Sequence, residues 1–145
     1  MGSRVNFAFK TENKNYVVLY SHWGGEDRFN LLSNALEASR PRWNDNSYAI
    51  RIAISSIVGN NWNSETGFGI YVNEIGDYNY ETFVVDFEKQ TIGIHESGLY
   101  INHTVKHIEE YPVISMTFDE FLNSNHDFEG LIEGIREIWE QTSPK

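Results

Sequence analysis

The chain has 145 residues, a net charge of −10 and no cysteine. Its length is typical of one domain, and its 40% hydrophobic and 14% aromatic residues are enough for a packed core. The lack of cysteine excludes disulfides, thiol catalysis and cysteine-ligated zinc. Because the first residues also show no apolar leader, we expect a cytoplasmic protein that forms a single domain over residues 1–145.

The charge is distributed unevenly along the chain. Residues 1–51 contain seven basic and five acidic residues, whereas residues 52–145 contain four basic and sixteen acidic ones. An acidic protein of this kind repels nucleic acid and anionic membranes over most of its surface. No apolar run approaches the roughly 18 residues of a membrane span. We therefore expect no direct binding to nucleic acid or membrane, and we expect any anion site in the N-terminal third.

The first part of the chain predicts a hairpin followed by two helices. Alternating apolar residues at 5–9 and a β-rich run at 16–20 flank the polar sequence ENKN, as in an antiparallel hairpin. Helical spacing of apolar residues then predicts helices over 26–39 and 45–58. Pro41 ends the first helix, Asn44 or Asp45 caps the second, and Gly59 ends it.

The remaining chain predicts more strands and a last helix. Strand patterns occur at 67–72, 82–87 and 91–95, with weaker ones at 99–105 and 113–116. The spacing of Thr117 and Glu120 predicts a capping box for a short helix, and an apolar stripe predicts a helix over 127–141. We therefore expect an α+β fold, with a mainly antiparallel sheet of five to seven strands and about three helices packed on it.

The sequence YSHWGG at 20–25 is the first candidate for a binding site. A strand that ends in a Gly-Gly turn and opens a helix offers unpaired backbone amides to an anion. A Walker lysine and a dinucleotide fingerprint are both absent. The alternative is purely structural: Gly24 and Gly25 turn the chain, Trp23 packs, and His22 bonds a backbone carbonyl.

The sequence RPRWND at 40–45 and the following helix are the second candidate. Arg51 shares a polar stripe with residues one or two turns away on an otherwise apolar helix. A guanidinium beside apolar surface needs an anionic partner. That partner is either an internal carboxylate, such as Asp86 or Glu26, or a ligand phosphate held by Arg51 together with Arg40 and Arg42.

Other polar residues give weaker signals. Trp62 lies in the polar loop 60–67, where it either stacks on a ligand ring or folds back onto the core. His103, His107 and Glu110 have part of a metal-binding spacing, but the HExxH pattern is absent and the segment reads as strand and loop. We expect no metal site and no cofactor.

The segments YSHWGG at 20–25, RPRWNDNSYAIRI at 40–52, TGFGI at 66–70 and VVD at 84–86 also carry a resemblance. The chain resembles, over residues 16–94, a family of small and largely uncharacterised proteins of bacteriophages and prophage-carrying bacteria. It departs from that family at 27–29, where family members have a Leu-Pro-like helix start. The resemblance implies a phage or mobile-element origin, and it supplies no established activity to transfer. Many small phage proteins counter host defence.

These observations lead to three hypotheses for the function. The first is a non-catalytic phage accessory protein, acting against host defence, that binds a small anionic nucleotide-like ligand. The second is an acidic protein-binding inhibitor or nucleic-acid mimic that blocks a host defence protein with the C-terminal half. The third is a hydrolase in which His22 is a general base partnered by Asp86 or Glu65.

Under the first hypothesis no catalytic residue is predicted, and the sequence leaves the oligomeric state open. The residues predicted to bind the ligand are His22, Trp23, Gly24, Gly25, Arg40, Arg42, Trp43, Arg51 and Trp62.

Overall fold

The computed structural model describes residues 2–97, 104–110, 112–124 and 128 of the chain. The strands in this part of the chain are β1 (Val5–Lys10), β2 (Tyr16–Ser21), β3 (Phe68–Val72), β4 (Thr82–Asp86), β5 (Thr91–His95) and β6 (Pro112–Thr117). The helices are α1 (Arg28–Ser39), α2 (Asn46–Val58), α3 (Val105–Glu109) and α4 (Phe118–Leu122). Single 3₁₀ turns occupy Gly25–Asp27 and Arg40–Arg42.

The strands form one six-stranded sheet in the order β3-β2-β1-β4-β5-β6. Every neighbouring pair is antiparallel except β1 and β4, which run parallel. After β2 the chain leaves the sheet for α1 and α2 and returns to it at β3, on the outer side of β2. Strand β4 then enters on the other side of β1 and runs parallel to it. The α+β fold with a mainly antiparallel sheet is confirmed.

The two faces of the sheet are covered differently. Phe7 and Phe9 of β1 point to one face and pack with apolar residues of α1, α2 and α4 in the main core. Ala8, between them, points to the other face, as the period of two in a strand requires. There it packs in a smaller cluster with Ile75 and with Ile108 of α3. Helices therefore cover one face, and α3 with the segment before β4 covers the other.

The element boundaries differ by more than one residue from the sequence prediction at two places. The first helix begins at Arg28 rather than at residue 26, because the preceding residues form a 3₁₀ turn. Val105 was expected at the end of a strand but begins α3, because the Thr104 side chain caps that helix by accepting the backbone N–H of His107. Residues 99–103 of the predicted strand lie outside the described part of the chain.

The capping box predicted at Thr117 and Glu120 is confirmed, with both reciprocal hydrogen bonds at the start of α4. Of the helix predicted over 127–141, only Phe128 is described, and its ring lies 5.4 Å from the ring of Phe29. No helix in the described ranges is long and apolar enough to cross a membrane.

A buried ion pair fixes the start of α1 to the sheet. The Arg28 side chain is almost fully buried, and its Nε lies 2.7 Å from Oε1 of Glu81, the residue before β4. Nη1 of Arg28 donates to the Gly25 carbonyl at 2.7 Å. The rings of Phe29 and Tyr80 lie 4.4 and 4.2 Å from the guanidinium carbon. Removing one partner of such a pair leaves an uncompensated charge in the protein interior.

We expect Glu81→Gln to lower the free energy of unfolding by about 3–5 kcal/mol, because it removes a carboxylate that is paired with a buried guanidinium. The matched control is Glu37→Gln, which removes the same charge from the solvent-exposed pair with Arg40. Exposed pairs contribute at most about 1 kcal/mol, so the control should unfold nearly as the wild type does. Urea unfolding followed by circular dichroism measures both, and equal losses would contradict the importance of the buried pair.

Candidate functional site

Helix α1 separates the residues that the sequence analysis assigned to one site. Gly24 and Gly25 precede the helix, and Arg40 follows its last residue. A helix of 12 residues is roughly 18 Å long. The structure therefore places the Gly-Gly turn at one end of α1 and the segment of Arg40 and Arg42 at the other.

The two arginines after α1 are paired with acids of their own segment. Arg40 forms an ion pair with Glu37, and its guanidinium carbon lies 4.5 Å from the ring centre of Trp43. Nη1 of Arg42 lies 3.9 Å from Oδ2 of Asp45. Because each charge already has a neighbouring carboxylate, neither arginine is poised to attract an anion.

Trp43 has a structural position. Its Nε1 donates to the Leu36 carbonyl at 3.0 Å, and its ring lies 4.9 Å from the ring of Phe118. The cleft beside Trp43 has a volume of about 420 Å³ and is lined partly by Glu12 and Glu88. An anion in this cleft would face two carboxylates, so the cleft disfavours a phosphate.

Arg51 is exposed on the solvent face of α2. The polar stripe expected on this helix is present, but it faces water, so the guanidinium needs no protein partner. Arg51 forms no ion pair with Asp86, Glu26 or any other described residue. Asp86 instead accepts a hydrogen bond from the backbone of Lys89 at 3.0 Å. Trp62 is 54% exposed in its loop.

The amides of the Gly-Gly turn are hydrogen-bonded inside the protein. The N–H of Gly24 donates to Oγ of Ser21 at 3.0 Å, and the N–H of Gly25 donates to the Ser3 carbonyl at 2.8 Å. The next amide, that of Glu26, donates to Oγ of Ser3 at 3.2 Å. These amides are therefore not available to an anion, and the turn matches the structural alternative.

A polar and aromatic cluster lies where β2 ends beside the start of β1. Val5 is paired with Ser21 in the β1–β2 register, so the next residues outward, Arg4 and His22, lie side by side. The Tyr20 hydroxyl lies 2.7 Å from Nδ1 of His22. We define the Arg4–His22 cluster by its members Arg4, Tyr20, His22, Trp23 and Tyr71.

Aromatic rings frame this cluster. The rings of Tyr20 and Tyr71 meet edge to face at 6.4 Å, and the rings of His22 and Trp23 do so at 4.7 Å. Trp23 is 61% exposed and lies over Gly67, where a side chain would approach its ring to 3.1 Å. An exposed ring therefore stands beside the imidazole.

The Tyr20 hydroxyl is the group in this cluster that contacts Nδ1 of the His22 ring. Burial raises the pKa of Tyr20, while the charge and the hydrogen bond of Arg4 act in the opposite direction, so the hydroxyl keeps its proton. The Tyr20 hydroxyl and Nδ1 of His22, 2.7 Å apart, form a hydrogen bond. In the tautomer in which Nδ1 accepts from Tyr20, the second ring nitrogen, Nε2, carries a proton and is a hydrogen-bond donor.

Arg4 differs from most other arginines of the described chain. Carboxylates pair with Arg28, Arg40 and Arg42, whereas Arg4 and Arg51 form no ion pair with a described residue. Nε of Arg4 also lacks a hydrogen-bond partner in the described ranges. Arg4 is thus a guanidinium with no described ion pair, next to a histidine and an exposed tryptophan. The charge of Asp77 also reaches this cluster, because it raises the pKa of Tyr20.

The structure does not support His22 as a base partnered by a carboxylate. The described partner of its Nδ1 is Tyr20. Asp86 follows Val85, which is paired with Phe9, so it lies at the opposite end of β1 from His22. Glu65 is exposed in its loop. Neither predicted partner orients the imidazole.

The described ranges contain no group of three His, Asp or Glu side chains that could hold a metal ion. Nδ1 of His107 lies 3.8 Å from Oε2 of Glu110 within and just after α3. His103, the third residue of the spacing noted in the sequence, lies outside the described part of the chain.

His95 is a buried titratable group on the face covered by α3. Burial lowers its pKa to about 4, against the opposing effect of a hydrogen bond with the Ile108 backbone. Two atoms here lack hydrogen-bond partners among the described residues: Nδ1 of His95, and Oγ1 of Thr82, the residue on β4 that is paired with His95. The imidazole is therefore neutral near pH 7, and its protonation opposes folding.

Gly25 gives a prediction about the stability of the fold. A Cβ on Gly25 would lie 2.3 Å from the ring of Tyr80, whereas one on Gly69 would meet nothing closer than 3.8 Å. Gly25→Ala should therefore lower the free energy of unfolding by about 1–3 kcal/mol, while Gly69→Ala should change it little. Thermal melts compare the two, and a fully stable Gly25→Ala protein would contradict the structural role of the turn.

His95 gives a prediction about how the stability of the fold depends on pH. The unfolded state protonates His95 near pH 6.5 and the folded state only near pH 4, so this group's contribution to stability is present above pH 6.5 and is lost as the pH falls. The loss should reach about 3 kcal/mol at pH 4. Urea unfolding at several pH values should give a flatter profile for His95→Gln than for the wild type. Parallel profiles would show that His95 is not buried and neutral.

Comparison of the chain with models of known protein families, with curated proteins and with solved structures gives no match. The resemblance to phage proteins therefore stays a prediction, and the candidate site is interpreted from its own geometry.

Proposed function

We propose that the protein is a non-catalytic binding protein for a small anionic ligand that contains a flat ring, such as a nucleotide, and that the Arg4–His22 cluster is its binding site. The observation that carries this proposal is a guanidinium that forms no described ion pair, held beside a histidine ring and an exposed indole ring. The cationic residue of the proposed site is therefore Arg4, just before β1, and not the arginines after α1 that the sequence predicted.

Each member of the cluster has a distinct role in the proposed complex. Arg4 supplies a full positive charge and a planar set of donors for a phosphate or carboxylate. His22 adds its imidazole ring, which Tyr20 orients through the hydrogen bond to Nδ1. Trp23 offers its exposed ring for stacking, an interaction worth about 1–3 kcal/mol with a nucleobase.

The charge distribution favours a small anion over a polymeric one. A nucleic acid would extend beyond the cluster onto a protein of net charge −10 and would be repelled there. A mononucleotide-sized ligand meets mainly the charges within about one Debye length, roughly 8–10 Å in ordinary buffer. Arg4 lies in the N-terminal third, which is the basic part of the sequence.

The predicted phage origin suggests a setting for this activity. A protein that holds a nucleotide without converting it would remove a nucleotide signal from a host defence system. The competing inhibitor hypothesis depends on the acids of residues 127–141, which lie outside the described ranges apart from Phe128, and it stays a prediction.

The test compares the two arginines that form no described ion pair. Wild type, Arg4→Ala and the control Arg51→Ala are titrated by calorimetry with mono-, di- and cyclic nucleotides and with inorganic phosphate. Arg4→Ala should weaken binding at least about tenfold, because a hydrogen bond to a charged group contributes about 1.5–3 kcal/mol. Arg51→Ala should bind as the wild type does. Tyr20→Phe should also weaken binding, because it removes the hydroxyl that orients His22.

Two outcomes would contradict the proposal. If no nucleotide and no phosphate binds the wild type, the cluster is not an anion site. If Arg51→Ala and Arg40→Ala weaken binding as much as Arg4→Ala does, the ligand is held by the larger set of arginines that the sequence analysis predicted.

A further inference from the structure

Strand β3 forms one edge of the sheet, and no described strand pairs with its outer side. Residues 66–73 carry no charge, and Glu65 and Glu74 flank them. Ile70, Tyr71 and Val72 are 53%, 38% and 66% exposed. Natural edge strands are usually protected by charges, proline, bulges or a covering element. Among the described residues β3 is an uncharged apolar edge, which indicates a surface for pairing with another strand.

The hydrogen bonds to β2 show which backbone groups of β3 remain open. The N–H of Asn73 donates to the Tyr16 carbonyl, and the N–H of His22 donates to the Gly67 carbonyl. Residues facing a partner strand alternate along an antiparallel ladder, so the odd-numbered residues 67–73 bond to β2. The N–H and C=O groups of the even-numbered residues Phe68, Ile70 and Val72 therefore point outward.

We propose that β3 of one copy pairs antiparallel with β3 of a second copy, about a two-fold axis at Ile70. In this register Ile70 faces its own counterpart and Phe68 faces Val72, so that the outward backbone groups of each copy meet those of the other. About six backbone hydrogen bonds would join the two sheets. The same surface patch serves both copies, as a two-fold interface requires.

The side chains of β3 are complementary to themselves in this register. On the helix-covered face, Phe68 lies opposite Val72 and Ile70 opposite Ile70, which are favourable aromatic and β-branched cross-strand pairs. On the other face, Tyr71 of each copy lies opposite Gly69 of its partner. A tyrosine ring covers the backbone that a strand glycine leaves exposed, a pairing known to stabilise sheets.

The charges around β3 also fit a second copy. No charged residue lies within β3 itself, and the backbone turns at Gly67 and Asn73, which both have positive φ, so Glu65 and Glu74 fall outside the new ladder. The remaining electrostatic effect is repulsion between two chains of net charge −10, which salt screens. Association through β3 should therefore become stronger as salt is added, the opposite of an association driven by ion pairs.

This inference does not depend on the proposed ligand. Sedimentation velocity of the wild type over a range of protein concentrations, at low and at high salt, measures the association. We expect a monomer–dimer equilibrium with a dissociation constant that falls on adding salt. A wild type that stays monomeric at all concentrations in both buffers would overturn the proposal.

Ile70→Pro gives a selective test. Proline at this position removes an outward N–H and leaves the bonds between β3 and β2 in place, which is the position where edge strands tolerate proline. The dimer dissociation constant should rise at least tenfold. Tyr48→Ala is the matched control, because Tyr48 is 51% exposed on α2 and should not affect the dimer. An unchanged dimer in a folded Ile70→Pro protein would overturn the proposal.

Hydrogen exchange of the wild type provides a readout that needs no substitution. The amides of Phe68, Ile70 and Val72 should gain protection as the protein concentration rises, while those of Gly69 and Tyr71 should be protected throughout. If the first three amides are already protected in the monomer, the chain's own residues cover the edge and the proposal is wrong.

Discussion

The buried ion pair between Arg28 and Glu81 is the contact on which the position of the candidate site depends. It joins the first residue of α1 to the residue before β4, and Arg28 also holds the Gly25 carbonyl. The Gly25 amide in turn bonds the chain just before β1. The start of α1, the end of β2 and the start of β1 are thereby held at one corner of the sheet. The Arg4–His22 cluster lies at this corner, so its geometry follows from an ion pair that touches none of its side chains.

Local sequence patterns predicted most of the described elements. Apolar spacing gave α2 to within one residue, and the Thr117 and Glu120 pair marked the start of α4 because a capping box involves only neighbouring residues. The pairing of Arg28 with Glu81 spans 53 residues and leaves no local pattern. The segment around Val105 was assigned to a strand because a helix of five residues is too short to show a helical period.

The candidate site was predicted only in part, for a geometric reason. The Gly-Gly turn predicted a site at His22 and Trp23, and both residues lie in the Arg4–His22 cluster. The arginines predicted for the site lie in the basic segment after α1, and this helix of 12 residues separates that segment from the Gly-Gly turn. The hairpin register that brings Arg4 beside His22 pairs Lys10 with Tyr16 across a five-residue loop. The predicted four-residue loop ENKN shifts that register by one residue and places Arg4 opposite Trp23.

An exposed apolar edge is a hazard for most proteins because unpaired strands continue to add further chains. The proposed pairing avoids this outcome, because each copy has one β3 edge and a two-fold contact uses both. A heterologous contact, in which β3 met a different edge, would leave a free edge on each side and would propagate. The acids that flank β3 and the net charge of −10 oppose such growth at every added copy. A self-complementary strand on an acidic protein is thus consistent with an assembly that stops at two.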